Sequence, residues 1–160
     1  MSDNSQGRVR QVVSALAVVL SLLFVGMELR QNTLAQRAQT RQELANASRD
    51  LILTITENPS IARAYSVLYG AMGGYSDSTL SALDSLQGRW AMFANIRNLE
   101  NVWLQSQAGV VDESVLSTYG FRSAVLYQSD EFRRMWRTTW SLVFDSSFVR
   151  AFEAANQLRD

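Results

Sequence analysis

The clearest pattern in this chain is an apolar run near its start, Val12 to Met27, which contains no charged residue. Two arginines precede the run, and Glu28 and Arg30 close it. A helix over residues 12–29 would rise ~27 Å, close to the ~30 Å hydrocarbon core of a bilayer. The run therefore predicts one transmembrane helix at residues 12–29, which follows a short N-terminal tail at residues 1–11.

Two other interpretations of this run stay open. A cleaved signal peptide has a similar basic start and apolar stretch, although Gly26, Met27 and Glu28 make a poor small-x-small cleavage site. A buried core helix also fits an apolar run of this length. The uncleaved anchor is the preferred interpretation because the run nearly matches the bilayer thickness and lacks a cleavage signal.

The arginines around the run bear on membrane orientation. Arg30, Arg37 and Arg41 follow it, whereas Arg8 and Arg10 precede it. Cytoplasmic flanks carry an excess of basic residues. Three arginines against two favour a cytoplasmic location for the domain that follows.

Beyond the run, the polarity of the sequence changes without a helix-breaking residue. There is no Gly between Leu29 and Asn58, and the first Pro is Pro59. Residues 30–43 are polar with scattered alanines, which predicts a solvated helical stalk. From Leu44 onward apolar residues recur at helical spacing, so a bundle domain is predicted at residues 44–160.

Capping signals divide this domain into further helices. Asn58, Ser129 and Asp145 are suitable N-caps, and Pro59 fits the first turn of a helix. Gly109 is the predicted C-terminal stop of the third helix along the chain. No segment alternates as a strand. The predicted fold class is therefore all-α: an N-terminal transmembrane helix that continues into a long helix, followed by a bundle of about five helices. These five are predicted at residues 60–72, 79–107 and 112–126, after a Ser129 cap, and at residues 148–158.

Composition removes most catalytic templates. The chain contains no His, no Cys and no Lys, and its fifteen Arg balance fifteen Asp plus Glu. No metal site, thiol nucleophile, Schiff base or phosphate-binding loop lysine is therefore expected, and no cofactor. A neutral chain also lacks the basic excess that nucleic-acid binding requires. We expect a protein that is not an enzyme, although a carboxylate-dependent enzyme stays open.

The third predicted helix carries the most specific polar cluster: Arg97, Asn98, Glu100 and Asn101. Arg97 and Glu100 are three residues apart and can pair on the helix surface. This cluster predicts either a polar recognition site or a structural ion pair that fixes helix packing, and the structural interpretation is preferred. On a helical wheel, Arg97 falls within an apolar stripe that is expected to be buried: Leu83, Leu86, Trp90, Phe93 and Leu104.

Aromatic residues provide a second candidate surface. Trp136 and Trp140 are four residues apart on one predicted helix, and such a stripe is typical of a core. The alternative is a contact face for a protein or a lipid surface, since three arginines lie on the same helix. These are Arg133, Arg134 and Arg137.

Several short motifs, taken together, resemble a widespread group of short bacterial proteins. They are LRQNT at 29–33, RNLEN at 97–101, GVVDES at 109–114, F-R-x-x-W at 132–136 and F-x-x-x-F at 148–152. Members of this group have one N-terminal membrane helix and an all-helical domain. The resemblance implies the same architecture here and implies that Arg97 to Asn101 is the group's polar signature. It implies no activity.

The expected function follows from these patterns. The chain is expected in the bacterial inner membrane, where it would act through contacts with a protein partner or a second copy, for example as an accessory subunit of a membrane assembly. Small residues within the apolar run, among them Ala17 and Ser21, would allow close helix packing. The alternative is a membrane-tethered ligand-sensing domain with a polar site around Arg97 and Glu100.

Overall fold

The computed structural model describes residues 3–70, 80–123 and 126–158, and no strand occurs among them. Within the first helix, the side chains of residues 3–9, 11, 12 and 15 are not described. The chain divides into two compact units, Met1–Gln39 and Thr40–Asp160. The all-helical prediction is confirmed, with these helices: α1 Asp3–Glu57, α2 Pro59–Tyr69, α3 Ala82–Gln107, α4 Val115–Thr118, α5 Asp130–Thr138 and α6 Ser146–Asn156, with a 3₁₀ turn at Trp140–Leu142.

The first helix is long, as the absence of breaking residues predicts. It begins at Asp3, so most of the predicted tail at residues 1–11 is helical. It ends where Asn58 caps α2, with the Asn58 side chain accepting hydrogen bonds from the backbone N–H groups of Ser60 and Ile61. Among the described side chains Leu44 is the first that is buried. None of the helices in the described part of the chain is long and apolar enough to cross a membrane.

Helices α2 and α3 pack closely at a glycine. A Cβ atom placed on Gly88 would lie 2.8 Å from the Ala64 Cβ and 3.2 Å from the Ala64 backbone carbonyl carbon. Real Cβ atoms almost never approach other heavy atoms so closely. Gly88 therefore lets two helices approach at a position where the sequence shows only a helix-weakening residue.

Gly88→Ala is expected to destabilise the domain by about 1–3 kcal/mol because it overpacks this contact. Helix propensity alone predicts the opposite sign, a gain of about 1 kcal/mol. Chemical denaturation of the full chain in mild detergent measures the difference. Adding Ala64→Gly should restore part of the loss, and a stabilising Gly88→Ala would contradict the close contact.

The predicted helix over residues 112–126 is wrong in length. Among the residues of this segment that the structure describes, 112–123 and 126, only the four of α4 are helical. Gly120 then adopts a φ of +76°, which favours glycine. The following backbone is bound by α6: the Asn156 side chain donates to the Phe121 carbonyl at 2.9 Å and accepts from the Ser123 N–H at 3.2 Å. A distant side chain thus replaces the hydrogen bonds that a longer helix would make.

The prediction about the buried face of α3 is also wrong. Of the stripe expected in the core, Leu83, Leu86 and Trp90 are largely exposed, and Leu104 is partly exposed. The core is instead formed by the other side of α3, because this side meets α2, α4 and α6. Apolar residues occur on both sides of this helix, so the wheel alone selects the wrong one. The residues buried on α3 are Gly88, Met92, Ile96, Leu99, Glu100, Val102 and Trp103.

The predicted caps of the last two helices are confirmed. Ser129 accepts from the Phe132 N–H, and Asp145 accepts from the N–H groups of Ser147 and Phe148.

The C-terminal part of the chain supplies an aromatic core. Phe152 lies in the centre of the rings, fully buried. Burial of these large rings is the main stabilising contribution of this part of the fold. The other buried rings are Phe121, Tyr127, Phe132, Trp136, Trp140, Phe144 and Phe148.

Candidate functional site

The predicted pair of Arg97 and Glu100 forms. An Arg97 terminal nitrogen donates to the Glu100 carboxylate one helical turn away on α3. The two side chains differ greatly in exposure, with 6% of the Glu100 side chain accessible and 47% of the Arg97 side chain. The pair is therefore a buried carboxylate covered by a half-exposed guanidinium.

The second oxygen of Glu100 reaches across to the start of α6. It accepts a hydrogen bond from the backbone N–H of Asp145 at 2.5 Å. Asp145 is the N-cap of α6, and its own side chain accepts from Ser147 and Phe148. These hydrogen bonds, the side-chain bond from Ser147 first, hold the pKa of Asp145 below its usual value. Glu100 thus satisfies a backbone donor at the point where α6 begins.

Arg97 contacts the residues just before Asp145. A guanidinium nitrogen of Arg97 donates to the Val143 carbonyl at 3.2 Å, and the guanidinium carbon lies 4.4 Å from the Phe144 ring centroid. Phe93 offers a second ring at 5.5 Å. Stacking of this kind suits a planar cation on an aromatic face. The cluster joins α3 to the segment before α6, which agrees with the preferred structural interpretation.

An open groove lies beside this cluster. Its volume is about 570 Å³, and both predicted asparagines line it, Asn98 half-buried and Asn101 exposed. Ala47 and Leu51 of α1 form its opposite wall. The polar signature of residues 97–101 therefore faces a surface depression of ligand size.

Trp136 and Trp140 lie in the core and not on a contact face, which corrects the alternative interpretation of the aromatic stripe. Both are almost completely buried. The Trp136 indole N–H donates to the Glu153 carboxylate at 3.2 Å, so its polar atom has a partner inside the domain. The spacing of four residues favoured a core position for both rings, and both are buried in the domain.

The arginines of α5 are also engaged within the domain. Glu131 accepts from Arg89 at 2.7 Å and from Arg134 at 2.6 Å. Partial burial raises the pKa of Glu131, but the hydrogen bonds from Arg134 and Arg89 outweigh burial and leave this pKa lowered. Arg133 donates to Gln128. On α5, Arg133 and Arg134 therefore bind partners within the domain, which weakens the alternative interpretation of this helix as a basic and aromatic contact face.

One exposed aromatic residue, Trp90, belongs to the α3 stripe that was predicted to be buried. It is 61% accessible and follows Leu83 and Leu86 along the outer side of α3. We call these three residues the α3 ridge. The Trp90 ring contacts the Phe93 ring edge-to-face, with 5.5 Å between the ring centroids. The helical wheel grouped these residues correctly, but nothing in the sequence says that the group faces outward.

Metal chemistry has no visible support in the described residues, where no three His, Cys, Asp or Glu side chains are grouped to hold an ion. The class that the fold defines is an all-helical domain preceded by a long helix. Comparison with known proteins finds no matching family model, no matching curated protein and no matching solved structure.

Proposed function

We propose that this chain is a membrane-anchored, non-enzymatic helical protein of the bacterial inner membrane. It acts through contacts with other proteins, as an accessory subunit of a membrane assembly or as a homo-oligomer. The observation that carries the proposal is the exposed apolar surface of the run at residues 12–29. Its described large apolar side chains are between 48% and 66% accessible, the limits being Val25 and Leu22. Val12 and Ala15 belong to the same run in the sequence, although their side chains are not described.

A continuous apolar surface of this length requires cover from water, and lipid provides it. The polar residues at the end of the run, Glu28 and Arg30, are long enough to reach the interface. The arginine count around the run supports a cytoplasmic location for the domain.

The α3 ridge supports the second half of the proposal. Leu83, Leu86 and Trp90 form an exposed apolar surface, and Trp is enriched at the centre of protein interfaces. The Arg97 and Glu100 pair binds within its own domain, which leaves the ridge as the stronger candidate for a protein contact.

Changing Leu20 and Leu23 together to Arg should release the chain from the membrane fraction after an alkaline carbonate wash. Each arginine at the centre of a span costs about 2.5–3.5 kcal/mol. Leu34→Arg, outside the run, is the matched control and should stay membrane-bound.

The contact surface is tested in the same membranes by cross-linking. A photo-reactive benzoylphenylalanine in place of Trp90 should give a protein adduct of defined mass, which the same residue in place of Ile52 should not give.

Retention of the Leu20 and Leu23 variant after the wash would contradict the anchor. A chain that stays monomeric, with no adduct from position 90, would contradict the contact surface. A fusion reporter at the C-terminus reads the orientation independently of both results.

A second candidate function is a membrane-tethered sensing domain, and the groove beside Arg97 is the observation that favours it. Arg97 is half-exposed at its edge, and a guanidinium has five donors, more than its partners here use. A ligand carboxylate is the group that would fit such a donor. A carboxylate compound that raises the melting temperature of the wild type and not of Arg97→Ala would favour this candidate.

A further inference from the structure

A second cavity of about 430 Å³ shares Leu51 with the groove beside Arg97, but neither Arg97 nor Glu100 lines it. One wall is formed by the last turns of α1, including Ile52 and Ile55. The opposite wall is formed by α2 and α3 side chains and by residues 118–120 and 126–127. All of these residues belong to the unit Thr40–Asp160.

The lining of this cavity carries no charge. Of the described residues, twelve line it, and none of the twelve is Asp, Glu or Arg. Burial raises the pKa of the Tyr65 and Tyr127 hydroxyls, so both remain neutral throughout the physiological range. A charged group entering this cavity would lose its hydration without gaining an opposite charge. The lining therefore selects an uncharged occupant.

Two tyrosines of the wall opposite α1, Tyr65 and Tyr127, are held in place by polar contacts. The Tyr127 hydroxyl donates to the Gly120 carbonyl at 2.9 Å, and the nearby Asn95 side chain lowers the pKa of this hydroxyl against the larger effect of burial. The Tyr65 hydroxyl lies 3.6 Å from the Met92 sulfur. A wall whose side chains are already fixed does not have to be ordered when a ligand enters, which favours binding.

One lining group can recognise a polar atom in an otherwise apolar site. The Asn95 side chain lines the cavity, and its amide has two donors and a carbonyl acceptor, which is more than the neighbouring Tyr127 hydroxyl can use. The volume also suits a small molecule: a dry apolar cavity of about 150 Å³ holds one benzene, and ligand pockets begin at about 300 Å³. Ile52 is 55% accessible, so the cavity opens to solvent along α1.

We propose that this cavity binds the aliphatic or aromatic part of a small uncharged molecule, with the Asn95 amide as its polar contact. The residues that carry the proposal lie between positions 48 and 127, so it does not depend on the membrane anchor or on the α3 ridge.

The test is photo-labelling of the full chain in phospholipid vesicles with an uncharged medium-chain alcohol that carries a diazirine. Peptide mapping should place label on Tyr65, Tyr119 or Tyr127, and an excess of the unlabelled alcohol should reduce that label about tenfold. Label at residues 12–29 reports lipid contact and should not compete. A carboxylate of the same chain length should label the cavity at least about tenfold less.

Two threonines on α1 provide a matched pair of variants. Thr56 lines the cavity and Thr54 does not, yet both are exposed and each bonds the carbonyl four residues earlier. Thr56→Trp should reduce the competed label several-fold, whereas Thr54→Trp should leave it unchanged. Asn95→Leu should reduce labelling by the alcohol more than labelling by an alkane of equal length.

Any of three results would overturn the proposal: cavity label that does not compete, equal labelling by the carboxylate, or equal effects of the two tryptophan variants. Because both threonines are exposed, neither variant is expected to unfold the domain, and circular dichroism verifies this.

Discussion

Replacing Phe152 by alanine is expected to lower the free energy of unfolding by about 3–5 kcal/mol, the usual cost of deleting a fully buried phenylalanine. Phe152 is completely buried at the centre of the aromatic core. Its ring centroid lies 4.9 Å from those of Tyr127 and Trp136, and further rings surround it. These are Phe121, Phe132 and Phe148.

The loss should be large because rings on several elements contact this one residue, so collapse around the cavity is limited. Urea denaturation of the full chain in mild detergent, followed by tryptophan fluorescence, measures it. Leu142→Ala is the control, since Leu142 is 78% accessible and should change stability by less than about 0.5 kcal/mol. A loss below 1 kcal/mol for Phe152→Ala would mean that the core is not organised around this ring.

Glu100→Ala is expected to cost about 2–4 kcal/mol, because hydrogen bonds to charged groups are worth about 1.5–3 kcal/mol and an abandoned buried donor adds to the loss. The substitution removes the acceptor of the Asp145 N–H at the start of α6 and the partner of Arg97. Its cost arises where α6 begins, far along the chain from the substitution itself.

Further variants separate the two roles of Glu100, as acceptor for the Asp145 N–H and as charged partner of Arg97. Glu100→Gln keeps an acceptor for the Asp145 N–H and should cost less than Glu100→Ala. Glu113→Ala is the matched control, since Glu113 is exposed, and it should lie within about 0.5 kcal/mol of the wild type. If Glu100→Ala were as harmless as this control, the residue would not stabilise α6, and the sensing alternative would gain support.

Local signals in the sequence predicted several helix starts. Asn58, Ser129 and Asp145 act as N-caps because each side-chain oxygen satisfies N–H groups only two or three residues ahead. Ser81, which was not predicted as a cap, does the same for α3. α3 ends at Gln107, close to the predicted glycine stop, where Gly109 has a φ of +69°. Such interactions depend on neighbours in the chain, so the sequence contains all their partners.

The same local signals gave a wrong prediction where a residue distant in sequence binds the backbone groups that a helix would pair. The 112–126 segment has apolar and capping residues suited to a helix, yet Asn156 binds its backbone from α6. The candidate site shows both cases. The Arg97 and Glu100 pair is a matter of spacing on one helix and was predictable. The bond from Glu100 to Asp145 joins residues far apart in sequence and was not.

By itself, then, the sequence determined the helical class, the helix boundaries set by caps, the apolar run at residues 12–29 and the Arg97 and Glu100 pair. Each depends on residues within a few positions of one another. Only the tertiary structure decided which side of α3 is buried, that Trp136 and Trp140 are core while Trp90 is exposed, and where the uncharged cavity lies. A helix with apolar residues on both sides acquires an inner face only when α2, α4 and α6 pack against one of them.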